Sequence, residues 1–358
     1  MAKGIYIGVG GVARKAKKMY VGVGGVARKI KKGYVGVGGV ARPFWSGGEL
    51  AYYGKASNLS KDRYEHVAVT VGNYALFYGG YPNPNTIDTY TATLTKGTAA
   101  SGKRRYNFAG ASVGDYAMFG GGGQGSSIDV YSSSLVHSEV TGFYSSKVDN
   151  LAATSIGNHV IFAGGTDDEN VALKDAQAFD TNLTRSTLTS LSAVQSELEA
   201  THVGEYALFC GTVTNAYRIG TLARTTSTSP NGNAGNGAAT FIGKYALFSS
   251  AGNSYTTVNA YNESLARSTP TALSVGRTNL SATTLGEYAI FAGGRSSASS
   301  SATKLDTVDV YDTSLTRSTV QALSSAKYDL AATTVGNYAL FGGGRLSGTT
   351  TVDVYTIV

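Results

Sequence analysis

The first residues that could do chemistry are glycines. Residues 6–15 read YIGVGGVARK, in which Gly8, Gly10, Gly11 and Ala13 spell G-x-G-x-x-A, a variant of the dinucleotide-binding fingerprint. That fingerprint works only inside a strand–turn–helix–strand unit of about thirty residues, with an acid about twenty residues on for the ribose. Here the string returns at Tyr20–Lys29 and at Tyr34–Arg42, a period of 14 residues, and the first carboxylate is Glu49. The spacing excludes a nucleotide site. It reads instead as a repeated hairpin: YVGV a short strand, Gly-Gly a turn, VARK the return.

Catalytic constellations are missing elsewhere too. His66, His137, His159 and His202 fall at different points of their surroundings, and no H-x-x-H or carboxylate set has metal-ligand spacing. Asp167-Asp168-Glu169 reads as a solvated loop. Cys210, the single cysteine, sits in YALFCG and reads as a small buried hydrophobe; one cysteine allows no intrachain disulfide. The expectation is a non-enzyme without cofactor or metal.

The elements that position these residues repeat. Gly-polar-Tyr-Ala-Leu-Phe-Gly-Gly recurs seven times, anchored at Tyr74, Tyr116, His159, Tyr206, Tyr245, Tyr288 and Tyr338, 39 to 50 residues apart. Each copy holds four short β-like pieces, as in LAATTV (330–335), YALFGGG, TVDVYD (307–312) and STVQALS (318–324). Four antiparallel strands every 40–50 residues predict a propeller blade. The seventh copy stops after its third strand, and residues 49–57 resemble the missing fourth. The expectation is an all-β chain: a seven-bladed β-propeller over 49–358, closed by its N-terminal strand and preceded by a small glycine-rich β-repeat module over 1–48.

Charge divides the chain at the same place. Residues 1–48 carry seven Lys, three Arg and no acid, while the remaining 310 hold 20 basic and 23 acidic side chains. A basic arm suits an anionic or acidic partner. Its regular β pattern speaks against a nucleic-acid tail. No apolar run is long enough for a membrane span, and no signal peptide is apparent.

Three series of residues recur within the blades. The turn into each new blade carries Arg63, Arg105, Lys147, Arg277 and Lys327, with Tyr64, Tyr106 and Tyr328 following three of them. Cations and aromatic faces on one propeller face would suit an acidic peptide or an anionic glycan; the alternative is that they hydrogen-bond neighbouring loops. A second series, Lys96, His137, Arg185, Arg224, Arg267 and Arg317, follows a Leu-x step. A third, Asp88, Asp129, Asp309 and Asp353, lies in the third strand. Both of these read as structural.

The body resembles kelch repeats, through the double glycines (Gly79-Gly80, Gly164-Gly165, Gly293-Gly294, Gly342-Gly343) and the downstream VDVYD. It departs where the fourth strand should open on tryptophan, having SLTRST at 314–319, and blades four and five lack the double glycine. A copper-radical site of the galactose-oxidase kind is not implied, since Cys210 lies in the wrong element. The N-terminal tandem string resembles the attachment segments of phage and prophage virion proteins. That resemblance implies a virion protein, tail- or baseplate-associated, fixed to other virion proteins through residues 1–48 (Tyr6, Arg14, Tyr20, Arg28, Tyr34, Arg42) and homo-oligomeric in the particle. Its propeller would then be displayed for a host-surface glycan. The alternatives are a decoration protein whose propeller binds other virion proteins, and a propeller enzyme acting on cell-wall sugars.

Overall fold

The computed structural model describes residues 6–9, 12–15, 20–23, 26–29, 32–37, 40–46, 48–123, 126–143, 147–249, 255–299, 301–345 and 349–358. They form two compact units, Met1–Ala51 with Thr356–Val358, and Tyr52–Tyr355.

The first unit contains three antiparallel hairpins: Tyr6–Val9 with Val12–Lys15, Tyr20–Val23 with Val26–Lys29, and Lys32–Val37 with Val40–Ser46. Their registers repeat. Ile7 faces Arg14, Val21 faces Arg28 and Val35 faces Arg42. Tyr6 and Tyr20 face Lys15 and Lys29, while Tyr34 faces Pro43 beside a bulge at Gly33/Tyr34. The glycine pairs expected to form the turns lie outside the described residues.

The second unit is a seven-bladed β-propeller. Six sheets are built from four consecutive strands each, and the seventh is completed from the N-terminal side, in the order Ala331–Val335, Tyr338–Gly342, Val352–Ile357, Leu50–Ala56. The first strands of successive blades pack side by side around the axis, from the first blade to the seventh and back to the first. This closure leaves no open edge at the junction of first and last blades.

Burial follows strand position. The second strand, such as Tyr338–Gly342, is buried at all but its first residue, and the third, such as Val308–Asp312, at all but its last. Such near-continuous apolar runs are what a sheet covered on both faces requires. The apolar clusters accordingly lie between blades: one joins Ile128 and Val130 of blade two to Val160 and Phe162 of blade three. In every blade an aromatic of the second strand meets one of the third edge-on, from Phe77–Tyr90 at 5.7 Å to Phe341–Tyr355 at 5.8 Å. The third-strand tyrosine hydroxyl then donates to a carbonyl of the chain leaving the preceding blade, as Tyr90 does to Ser57 at 2.7 Å and Tyr311 to Thr271 at 2.7 Å.

The Leu-x step has a backbone cause. Leu94, Leu135, Leu183, Leu222, Leu265 and Leu315 all have φ between 52° and 63°. Leucine is poorly suited to this left-handed conformation. The turn holds it: in blade six, Asp312 Oδ1 accepts from the N–H groups of Ser314 and Thr316, and Leu315 N–H donates to the Asp312 carbonyl. The leucine side chain packs on the inter-blade cluster, as Leu315 does.

Candidate functional site

The cationic series is buried. Arg63, Arg105, Arg277 and Lys327 are each 1 % exposed or less. Each enters its blade four residues before the first strand and pairs with the third-strand aspartate of that blade. Arg63 meets Asp88 and Arg105 meets Asp129; Arg277 Nη1 lies 2.8 Å from Asp309, and Lys327 Nζ 2.8 Å from Asp353. Remaining donors reach blade carbonyls, as Arg63 Nη1 reaches Thr86 at 2.8 Å and Arg105 Nη2 reaches Ser127 at 2.7 Å. The expected ring of cations offered to an anionic ligand is therefore corrected. A cation wholly out of water and already paired with an aspartate inside its blade is not at the surface to be presented.

Lys147 is corrected in a second way. The residue four before the third blade's first strand, Ala152–Ile156, is Val148. Lys147 is half-exposed and pairs with Asp149 at 2.6 Å, so it lies one residue off the series. Blade four has Gln195 at the cation position and blade five Ala234. Their third-strand partners are neutral too: Gln177, Asn215 and Asn259 stand where the other blades carry aspartate. Cation and acid come and go together. The double glycine belongs to the same device. Gly80, Gly165, Gly294 and Gly344 donate their N–H to the carbonyls of Arg105, Gln195, Lys327 and Arg63, at 2.8–2.9 Å. A Cβ on Gly80, at φ 87°, would lie 2.5 Å from the Tyr64 carbonyl oxygen.

The outer-strand series completes the cluster. Lys96 and Arg317 each supply a second cation to the blade's aspartate, at 3.1 and 2.9 Å, and in blade two the His137 Nε2 stands in that place, 2.7 Å from Asp129. Arg224 and Arg267 donate to Asn215 and Asn259 at 3.3 and 3.2 Å, whereas Arg185 reaches the Gly142 carbonyl. In the seventh blade the closing strand does the same work through Tyr52, whose hydroxyl donates to Asp353 at 3.0 Å. Burial and the Asp353 charge push the Tyr52 phenol up to about 12. Burial pushes Asp129 upward, but the Arg105 charge and the donors Arg105, His137 and Tyr78 outweigh it and hold the carboxyl below its usual range. Asp129, His137 and Glu139 are the one grouping of potential metal ligands among the described residues. Their donors are committed to these pairs and to Lys103, 3.1 Å from Glu139. Asp167 accepts from the N–H groups of Glu169 and Val171, which makes the acidic loop a local turn. Burial pushes the Cys210 thiol up to about 12, so it stays an inert core group.

What the mouth of the axis does present was not legible as a motif. Two residues before each first strand, three in blade five, stands a residue with φ between 54° and 56°: Glu65, Asn107, Asn150, Glu197, Asn236, Asn279 and Asp329. Six backbone bonds link them. Asn150, Glu197, Asn236, Asn279, Asp329 and Glu65 each donate N–H to the carbonyl of the preceding member, at 2.8–3.2 Å. Below this ring lies a cavity of about 380 Å³ walled by Ala68, Gly110, Ala153, Ala200, Ala239, Ala282 and Ala332. Two residues further along the strands, Phe241 and His202 meet with ring centroids 4.3 Å apart and planes tilted by 39°.

Beside the mouth, blades six, seven and one carry a stack of rings and guanidinium groups. Tyr81 meets Tyr64 at 5.6 Å between centroids. Arg345 lies 4.5 Å over the Tyr64 ring and 6.0 Å from the Tyr328 ring, and Arg295 lies 4.9 Å over Tyr328. Tyr81 and Arg345 are exposed. Thus Tyr64 and Tyr328 do sit on one face, brought together through Arg345. Tyr106, also exposed, belongs to blade two. Burial and the neighbouring Glu65 raise the Asp329 carboxyl to about 6.

The chain matches no protein-family model and no curated protein. Among solved structures it is similar to "Structure of YjhT", with a TM-score of 0.54 and 13 % identity over 70 % of this chain and 93 % of that one. The likeness supports the propeller fold.

Proposed function

We propose that this is a non-catalytic virion protein of the phage type, attached through residues 1–48 and displaying its propeller to bind a host-surface glycan. The tandem YVGVGGVARK string, with its repeated hairpin register, supports the attachment role. The observation that carries the binding role is the Tyr81–Tyr64–Arg345–Tyr328–Arg295 stack beside a ring of asparagines and carboxylates. Aromatic faces cover the apolar face of a sugar ring, and amides, carboxylates and guanidinium groups match its hydroxyls. This moves the ligand site from the buried cations to the axial mouth. It also changes the preferred ligand, because carboxylates at the mouth oppose an anionic glycan.

The test is immunogold electron microscopy of phage particles with antibody against residues 49–358. Label at a tail tip or baseplate is expected. Label confined to head or shaft would favour decoration of the particle instead, and no label on particles would sink the virion assignment.

A further inference from the structure

We infer that the axial cavity is a binding site for a small ligand bearing a primary ammonium group, with Glu199 as the carboxylate that receives it. The inference rests on reading the propeller as a binding module, and not on its place in a particle.

Glu199 is the first residue of its blade's inner strand and lines the cavity. The same position in the other blades holds Val67, Ala109, Ala152, Ala238, Ser281 and Ala331. A carboxyl here departs from the repeat and has a physical cost: burial alone raises it to about 8, with no cation opposing the shift. Across the ladder it faces Cys210, itself held neutral by burial. Three further departures surround it. Asparagine fits a left-handed backbone better than glutamate does, yet the ring carries Glu65, Glu197 and Asp329 among its four asparagines. Glu197 lies two residues from Glu199, on the same side of the mouth. The cavity lining contains no lysine or arginine. The wall below the carboxylates is methyl groups and one glycine, so the charges that line the cavity itself are acids, while Arg295 and Arg345 stand at the rim beside Asp329 and Glu65. The volume of about 380 Å³ fits a single sugar ring or a similar small molecule. On binding, the Glu199 proton leaves to solvent and the carboxylate faces the ammonium. The amides of Asn236 and Asn279 are bonded to Glu197 and Asp329; amino sugars with a free amine combine that charge with hydroxyls that the amides of Asn107 and Asn150 can recognise.

The test is calorimetric titration of the full chain at neutral pH with glucosamine, glucose and N-acetylglucosamine. A charge-assisted contact is expected to favour glucosamine by roughly ten- to a hundredfold. Glu199→Gln and Glu199→Ala are expected to bring glucosamine down to the affinity of glucose. Glu199→Ala installs the residue that neighbouring blades carry, so its thermal midpoint should equal or exceed that of the parent chain. A preference that survives both variants, equal affinity for the three sugars, or no glucosamine binding at millimolar concentration would each overturn the inference. Retained adhesion of Glu199→Ala to host cell-wall polysaccharide would separate that failure from failure of the binding-module reading.

Discussion

Arg277 and Asp309 meet 2.8 Å apart with both side chains wholly out of water, and Arg317 closes on the same aspartate from the outer strand at 2.9 Å. Removing one partner strands the other. Asp309→Ala should lose about 3–5 kcal/mol of stability in urea unfolding. Blade three shows the neutral solution, Val148 with Gln177. The double change Arg277→Val with Asp309→Gln should therefore recover most of that loss, because a buried pair and a matched neutral pair differ little. A double variant as unstable as Asp309→Ala would show that the blades are not interchangeable in this respect.

Glu199 gives the chain an unusual dependence on pH. Its usual value of 4.5 rises to about 8 in the folded protein. The unfolded chain releases this proton above 4.5 while the folded chain keeps it until about 8. Folding then binds more protons than unfolding, and the Glu199 contribution to stability falls as pH rises through that window. Asp129 and Asp353, held low by Arg105 and Lys327 against their burial, act in the opposite sense and only in acid, below their usual 3.8. Thermal midpoints at pH 5 and pH 8 should show Glu199→Ala gaining on the parent chain as pH rises. An unchanged gap between the two would exclude a desolvated, neutral Glu199 at the half-buried cavity wall.

The tyrosine hydroxyls between blades should act singly. Tyr311→Phe leaves the Thr271 carbonyl without its donor and should cost about 1 kcal/mol, read by urea unfolding. Blade three already has Phe179 at this position, so the loss is expected to stay local.

Arg345 and Tyr81 are exposed, and neither belongs to a core cluster. Alanine at either should change stability by less than about 0.5 kcal/mol. In pull-down with purified host cell-wall polysaccharide, each should weaken retention several-fold. Retention equal to the parent chain would remove the ring–guanidinium stack from the binding face.

Closure is directly testable. A chain starting at residue 58 lacks Leu50–Ala56, the fourth strand of the seventh blade, and with it the Tyr52–Asp353 bond. Gel filtration and circular dichroism should show association or partial unfolding, because the third strand Val352–Ile357 becomes an open edge. A monomer of unchanged melting temperature would mean that closure adds little.

The propeller was legible because its signals are local and repeated: the YALFGG phrase, the spacing of about 44 residues and the missing last strand each point to one architecture. The aspartates and outer-strand cations were read as structural, and they are. The buried arginines misled because their type and periodicity suit a ligand ring as well as an internal ion pair; only distance to Asp88 or Asp309 separates the two. One clue was available in the letters. Cation and aspartate vanish together in blades three to five, provided that Val148, and not Lys147, is aligned with Arg105. The axial ring escaped notice because left-handed backbone leaves a weak trace, a scatter of Asn, Asp and Glu two or three residues before each blade. Glu199 was hidden for a different reason: a single acid in an alanine position becomes meaningful only once the other six positions are superposed on it.

Six main-chain hydrogen bonds join Glu65, Asn107, Asn150, Glu197, Asn236, Asn279 and Asp329 in a row, and two side-chain amides add to them, Asn236 donating to Glu197 at 2.6 Å and Asn279 to Asp329 at 2.7 Å. The hoop thus holds whatever side chains it carries. Its members are lettering on a fixed dial, set singly at Asn107 and Asn150 and in matched pairs at Glu197 with Asn236 and at Asn279 with Asp329. A lineage could exchange one recognised molecule for another by one or two substitutions there, with the barrel of sheets beneath left as it is.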